Sequence, residues 1–207
     1  LAPSSTDRFL DLACGKGRHS IFLNSLGYNV HGVDLSPESI SHANKSSKEN
    51  LTFGVHDMRE PLQSEAYHFV LNLFTSFGYF NSQKENLKVL KGIEYNLKPN
   101  GILVLDYLNA NKVVANLVAS ETIQRDNIDF QIQRKVENGQ VIKSIEFKDN
   151  DRLYTFQEQV ELITLLDFKS LLNATSLRLI HTFGSYNLDE FDPESSDRLI
   201  LVAKKQG

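Results

Sequence analysis

Phe9-Leu10-Asp11-Leu12-Ala13-Cys14-Gly15-Lys16-Gly17-Arg18 is the stretch that decides how this chain folds. Arg8 to Ala13 reads as a short buried strand that breaks at Gly15 and Gly17. From Arg18 to Leu26, Ile21, Phe22, Leu23 and Leu26 recur on one helical face. Strand, glycine turn and helix follow one another directly, and glycine at such a turn lets the backbone approach a ligand closely. The two glycines alone are a weak signal. They match half of a dinucleotide fingerprint, and Ser20 stands where its third glycine belongs. Asp11 is more decisive. Pyrophosphate sites use helix dipoles to attract an anion, whereas a carboxylate four residues before Gly15 repels phosphate and attracts a cation.

The same rhythm continues outward. Gly27 suits a helix C-cap. Asn29 to Leu35 is a second strand, and Ser36-Pro37-Glu38-Ser39 supplies an N-cap, a first-turn proline and an acid for a helix reaching about Ser46. Leu51 to Asp57 and the apolar Tyr67 to Phe74 are strands three and four. Gln83 to Leu97 has helical spacing, Pro99-Asn100-Gly101 is expected to end it, and Ile102 to Leu108 is strand five. This predicts an α/β class chain, a doubly wound and mostly parallel sheet with helices on both faces. Alternation of period two then takes over at Ile128, Phe130 and Ile132. Asn138-Gly139 is a strong hairpin signal, Val141, Ile145 and Phe147 alternate again, and Leu153 to Ile163 is extended. An antiparallel β meander inserted over residues 120–163 of a single domain, 1–207, is the expectation. Asp167 to Ser176 returns to helix, and Arg178 to Phe183 and Arg198 to Ala203 close the chain as strands.

Composition narrows the partners. The 207 residues are 41% hydrophobic with 11 glycines, as a packed globular domain requires, and no apolar run approaches the roughly 18–20 residues of a membrane span. The 26 acidic and 22 basic residues leave a net charge of −4, which gives no counterion-release drive toward nucleic acid or anionic lipid. Neither nucleic acid nor membrane is expected as a partner. Cys14 is the sole cysteine, so no intrachain disulfide forms and a reducing, cytoplasmic setting is expected. The first residues carry no signal-peptide pattern, and the missing initiator Met suggests a processed or truncated version of a longer protein. The six histidines lack paired metal-ligand spacing, so no metal site is expected.

Three acids define the ligand. Asp34 closes the second strand 19 residues after Gly15, where a carboxylate accepts both ribose hydroxyls. Asp57, after the third strand, stands on the same rim as Asp11 and Asp34, and strand ends in such a sheet face one crevice. A cationic, ribose-bearing ligand with an exocyclic amine fits this set, and S-adenosyl-L-methionine is the cofactor of that description.

From Asp7 to Leu108 the chain resembles the class I S-adenosylmethionine-dependent methyltransferases, which have a Rossmann-like fold. Their first motif matches Asp11 to Gly17. The resemblance implies that Asp11, Ala13, Cys14, Gly15 and Gly17 surround the methionine end of the cofactor. It further implies that Asp34 holds the ribose, Leu35 and Ser36 lie against the adenine, and Asp57 and the Met58 N–H meet its polar edge. Asn72 and Leu73 fall beside the sulfonium. Gly15-Lys-Gly-Arg-His19 and the Phe74 to Phe80 run resemble a bacterial small-molecule branch. The resemblance also implies helical lid residues before the first strand. Only six residues precede Asp7, so a lid is expected to be missing from this chain.

Two acceptor chemistries are disfavoured. Strand four leads into Asn72-Leu-Phe-Thr75, without the Pro-Pro-aromatic loop of DNA and glutamine amino-methylating enzymes, and the sole thiol lies in the glycine turn. A small-molecule acceptor methylated on N or O is expected. The meander would cover the crevice or pair two subunits as a homodimer. No catalytic residue stands out. Tyr79, Asp106, Tyr107 and His181 are candidates by position only, Cys14 reads as a buried filler, Lys16 and Arg18 as solvated charges, and Arg59 as a surface ion pair. The rival readings are a non-catalytic relative working through its meander and an NAD-dependent oxidoreductase. Asp11, the absent third glycine and the lack of a Tyr-x-x-x-Lys pair count against the latter.

Overall fold

The computed structural model describes residues 3–80 and 82–207. β1 (Arg8–Leu12), α1 (Arg18–Ser25), β2 (Asn29–Asp34), α2 (Pro37–Ala43), β3 (Leu51–Val55), β4 (Tyr67–Asn72), α3 (Gln83–Asn96) and β5 (Leu97–Leu108) form the first half. α4 (Ala110–Ala115) leads into β6 (Ser120–Arg125), β7 (Ile128–Glu137), β8 (Gln140–Asp149) and β9 (Arg152–Glu161). α5 (Leu165–Asn173), β10 (Leu177–Phe183) and β11 (Arg198–Lys205) follow. The main sheet has the order β10-β11-β5-β4-β1-β2-β3. Its pairs from β5 to β3 are parallel, while β11 runs antiparallel to β5 and β10. The strand order reverses between β1 and β4, and the crevice above their C-terminal ends is where ligands bind in such sheets. Among the described residues no helix is long and apolar enough to cross a membrane.

The apolar strands make the core. Leu10, Leu12, Val70, Leu90, Ile93, Leu103, Leu105 and Phe168 form one cluster that joins the sheet to α3 and α5. A smaller one on Phe9, Val30, Leu51 and Leu71 serves the α1 side, where the Phe9 and Phe69 rings stack at 4.7 Å. β6 to β9 form a separate antiparallel sheet of four strands. Its Asn138-Gly139 turn has positive φ at both residues (51° and 74°), as a primed hairpin turn requires. Tyr107 fastens the sheets together: it is fully buried, meets Phe168 edge-on at 5.2 Å and donates its hydroxyl to the Glu161 carbonyl.

Two expectations are corrected. Ile21, Phe22 and Leu26 do not face the core. They are 37%, 60% and 58% exposed, and the buried side of α1 is Ser20 and Asn24. The cause is the close approach of α1 to β2. A Cβ on Gly32 would lie 2.6 Å from the Phe53 ring and 2.7 Å from Ser20 Oγ, so only small groups fit between the elements. Asn24 fixes the other end, donating to the Tyr28 and Asn50 carbonyls at 2.8 and 2.9 Å. The second correction concerns Pro99-Asn100-Gly101. α3 already ends at Asn96 and β5 begins at Leu97, so the triplet is an irregularity inside a strand, with Asn100 at φ 63°.

Gly32→Ala is expected to lower stability by about 1–3 kcal/mol, the usual cost of overpacking. Gly54→Ala, whose Cβ would stand 3.6 Å from its nearest neighbour, is expected to stay within about 0.5 kcal/mol. Urea denaturation of both variants measures the difference, and equal losses would refute the close-approach argument.

Candidate active site

The turn after β1 is built from left-handed residues: Ala13, Gly15 and Gly17 have φ of 64°, 56° and 82°. Cys14 N–H donates to the Val33 carbonyl and Gly17 N–H to the Cys14 carbonyl, at 2.9 and 3.0 Å. A Cβ at Gly15 would point into open space, leaving the backbone accessible. Asp34 ties this turn to the next. One carboxylate oxygen accepts the Gly15 N–H and the other the Ser36 N–H, both at 2.8 Å. Ser36 in turn caps α2 through its hydroxyl at 3.1 Å.

Asp11 lies beneath the turn, 2% exposed, and accepts the Ser20 hydroxyl at 2.6 Å. Burial raises its pKa above the usual carboxylate range, while the Ser20 hydrogen bond and the neighbouring His19 oppose the rise. Cys14 is buried, and burial next to Asp11 and Asp34 pushes its thiol up to about 12, which makes it an inert filler. A cavity of about 240 Å³ opens here, lined by Asp11, Ala13, Cys14, Gly15, Leu73 and Phe74 together with Lys16, Arg18, His19 and Ser76. A larger groove of about 740 Å³ runs along edge strand β10 and shares no residue with the glycine turn.

The other expected residues divide. Leu35 and Val55 present apolar side chains to solvent at the ends of β2 and β3, 66% and 54% exposed, beside Asp34. Asp57 is on the rim, but its carboxylate is committed to Arg59, with contacts of 2.6 to 3.1 Å that hold its pKa down. Arg59 also reaches Glu85 at 2.6 Å and lies over the Phe80 ring. Met58 turns inward against the main core. Asn72 is fully buried and donates to the Leu12 carbonyl at 3.0 Å, clamping the ends of β1 and β4, while its Oδ1 has no hydrogen-bond partner. Among the positional candidates, Tyr107 belongs to the core, His181 is exposed on β10, and Tyr79 is 49% exposed. Asp106 is almost wholly buried and ion-paired to Arg198 at 2.7 Å. Arg18, read as a solvated charge, is exposed, and His19 beside it is half-buried. In the fold the His19 ring stacks on Phe74 at 4.9 Å and Arg18 lies 5.0 Å from that ring. Their position directly after the glycine turn was the available signal. Among the described residues no group of three or more His, Cys, Asp or Glu side chains can hold a metal ion.

A family model described as a methyltransferase domain matches residues 3–161. The chain belongs to the S-adenosylmethionine-dependent methyltransferases. The methyltransferase is similar to glycine/sarcosine N-methyltransferase of Aphanothece halophytica, 29% identical over 208 residues covering 96% of this chain and 76% of that protein. It is 36% identical to YqeM of Bacillus subtilis over 109 residues, 51% of this chain, and that match spans less than half (44%) of YqeM. A methyltransferase structure from Clostridium acetobutylicum superposes with a TM-score of 0.87 over 97% of this chain and 85% of that one, at 20% identity, and so shares the fold. S-adenosylmethionine is the cofactor of this family, and the site fits it: an open left-handed turn, a carboxylate beside it at Asp34, and exposed apolar Leu35 and Val55.

Asp11 gives a stability test. Its folded pKa is raised, so the stability tied to its proton is complete below about pH 4 and lost as pH rises through the folded value. Asp11→Asn removes that cost at neutral pH. Its melting temperature is expected to rise by on the order of 2–4 °C, equivalent to about 1 kcal/mol, and the gain to vanish toward pH 4. Calorimetric melts across pH check both signs.

Proposed function

We propose that this methyltransferase moves the methyl group of S-adenosylmethionine to a nitrogen of a small-molecule amine. Asp11 and the turn from Ala13 through Cys14 and Gly15 to Gly17 receive the methionine end. Asp34 takes the ribose hydroxyls with its free lone pairs, and Leu35 and Ser36 flank the adenine. The Met58 N–H and Asp57 lie at the adenine edge, with Arg59 sharing the Asp57 carboxylate. Leu73 and Asn72 stand next to the sulfonium.

The cofactor supplies a methyl group on a positively charged leaving sulfur. What the protein adds is alignment of donor and acceptor and exclusion of water. The observation that favours nitrogen over oxygen is the state of Asp106. Both its oxygens accept hydrogen bonds, from Phe74 N–H, Tyr186 Oη and Arg198 Nε at 2.9, 3.0 and 2.7 Å, and this buried carboxylate is committed to those bonds and lines no part of the cavity. An amine arriving unprotonated needs no base, and a relative 29% identical over 96% of this chain is named for N-methylation. The buried, single cysteine suits a reducing cytoplasm.

The outer end of the meander supports a homodimer. Phe130, Phe147, Tyr154 and Phe156 form an aromatic file, with ring separations of 4.7, 5.1 and 5.9 Å around Phe147, and Phe156 is 54% exposed. An apolar patch of this kind marks an interaction surface. Phe156→Glu is expected to convert a dimer to monomer in sedimentation velocity without altering S-adenosylhomocysteine affinity.

Asp34→Ala is expected to weaken S-adenosylhomocysteine binding about 10–100-fold in titration calorimetry, the worth of charge-assisted hydrogen bonds. Transfer of labelled methyl from S-adenosylmethionine to a panel of primary amines, compared with their hydroxyl counterparts, tests the acceptor. Product on oxygen alone would overturn the nitrogen reading.

A further inference from the structure

We propose that Asp106, Arg198 and Tyr186 form a positioning device that holds Phe74 closed over the mouth of the cofactor cavity, with Tyr186 as its release point. The proposal rests on the cofactor reading above and adds what controls access to the site.

The starting observation is backbone strain. Phe74 and Thr75 are consecutive residues with φ of 58° and 61°, a conformation L side chains rarely adopt. Such residues persist only where the surroundings over-determine them. Here the surroundings are a single hub. Asp106 Oδ2 accepts the Phe74 N–H at 2.9 Å, and the Asp106 carbonyl accepts the Thr75 N–H at 2.9 Å. Arg198 donates from Nε to Asp106 Oδ1 at 2.7 Å and from Nη2 to Thr75 Oγ1 at 2.9 Å. Asp106 is 2% exposed, so water competes little for these bonds. Both strained residues are thus fixed by one buried ion pair from β5 and β11.

The strain has a consequence at the site. It turns the Phe74 ring outward, 51% exposed, onto His19 and beneath Arg18, and all three side chains line the cavity that contains Asp11 and Gly15. On its other side the ring meets Tyr186 at 5.8 Å. Tyr186 belongs to the loop between β10 and β11, is 58% exposed, and donates its hydroxyl to the same Asp106 Oδ2 that holds Phe74, at 3.0 Å. One exposed side chain therefore connects a surface loop to the buried hub and to the ring at the mouth. Breaking the Tyr186 hydroxyl bond is the smallest change that loosens this hub beside the ring. Asp106 acts through Phe74, as a positioning residue, and touches no reacting atom.

The 207-residue chain and S-adenosylhomocysteine test this by surface plasmon resonance, with thermal melts in parallel. Tyr186→Phe removes only the hydroxyl. It is expected to raise the dissociation rate about 3–10-fold with the melting temperature unchanged, a split that a merely structural residue does not give. Arg198→Lys keeps the charge but loses the two-point fork and is expected to raise the rate further. Asp106→Asn is expected to do the same; if it fails to fold, the other two variants decide. The methyl ¹³C shift of bound S-[methyl-¹³C]adenosylmethionine is expected to move in Tyr186→Phe as the Phe74 ring shifts. Dissociation rates within twofold of the parent in both Tyr186→Phe and Arg198→Lys overturn the proposal. A parent protein that binds neither ligand overturns the cofactor reading on which it stands, so the two failures are distinguishable.

Discussion

The hydrogen bond from Ser20 to Asp11 fixes how α1 lies on the sheet, and the site follows from that placement. Asp11 is buried beneath the glycine turn, and a buried carboxylate without a partner costs several kcal/mol. Rotating α1 to bury Ile21, Phe22 and Leu26 would gain about 1.5–3 kcal/mol for each side chain fully covered. It would also take Ser20 away from Asp11 and Asn24 away from the Tyr28 and Asn50 carbonyls. The space between α1 and β2 admits no large side chain in any case, because Phe53 already fills it against Gly32. Sterics and the buried acid agree, and the apolar side chains are left outside. The serine in the third-glycine position is thus part of the design: it brings the hydroxyl, and Gly32 across the gap supplies the closeness a glycine on the helix would have given.

From this fixed turn the rim is assembled in sequence order. Asp34 reaches back to Gly15 and forward to Ser36, so one side chain sets the spacing of the turn after β1 and the turn after β2. His56 N–H donates to the Asp34 carbonyl at 3.0 Å, which brings the segment carrying Asp57 alongside. Each acid has a different state because each has different company. Asp11 is desolvated and its pKa is raised; Asp57 is paired with Arg59 and its pKa is lowered. A rim of uniformly exposed acids would bind any cation; this one offers a buried carboxyl group under the turn, a carboxylate with free lone pairs at Asp34, and an edge paired with Arg59 at Asp57.

What was legible in the sequence was local or periodic. The β1 turn, Asp34 at the end of β2, the Ser36-Pro37 cap and the Asn138-Gly139 hairpin all signal through neighbours a few residues apart, and all form as read. The α1 face was misread because periodicity counts apolar residues and is blind to a buried acid nine positions upstream. Pro99-Asn100-Gly101 was misread because a turn signal and a strand irregularity share the same residues. Asp106 and Arg198 lie 92 positions apart, and Arg198 and Thr75 lie 123 apart. No local pattern announces such partners, nor does any composition announce left-handed φ at a phenylalanine.

The Asp106 hub bears on which acceptor the proposed reaction suits. By topology alone, a carboxylate toward the end of β5 is a natural place to look for proton abstraction. Accepting a proton there would weaken the bonds from Phe74 N–H, Tyr186 Oη and Arg198 Nε at once, because each is strongest to the ionised form. The strained Phe74 backbone would lose part of its anchor in the same step. The same carboxylate cannot both hold that wall and take the acceptor's proton within one turnover. An acceptor that brings its own lone pair, and releases its proton to water after transfer, removes the conflict.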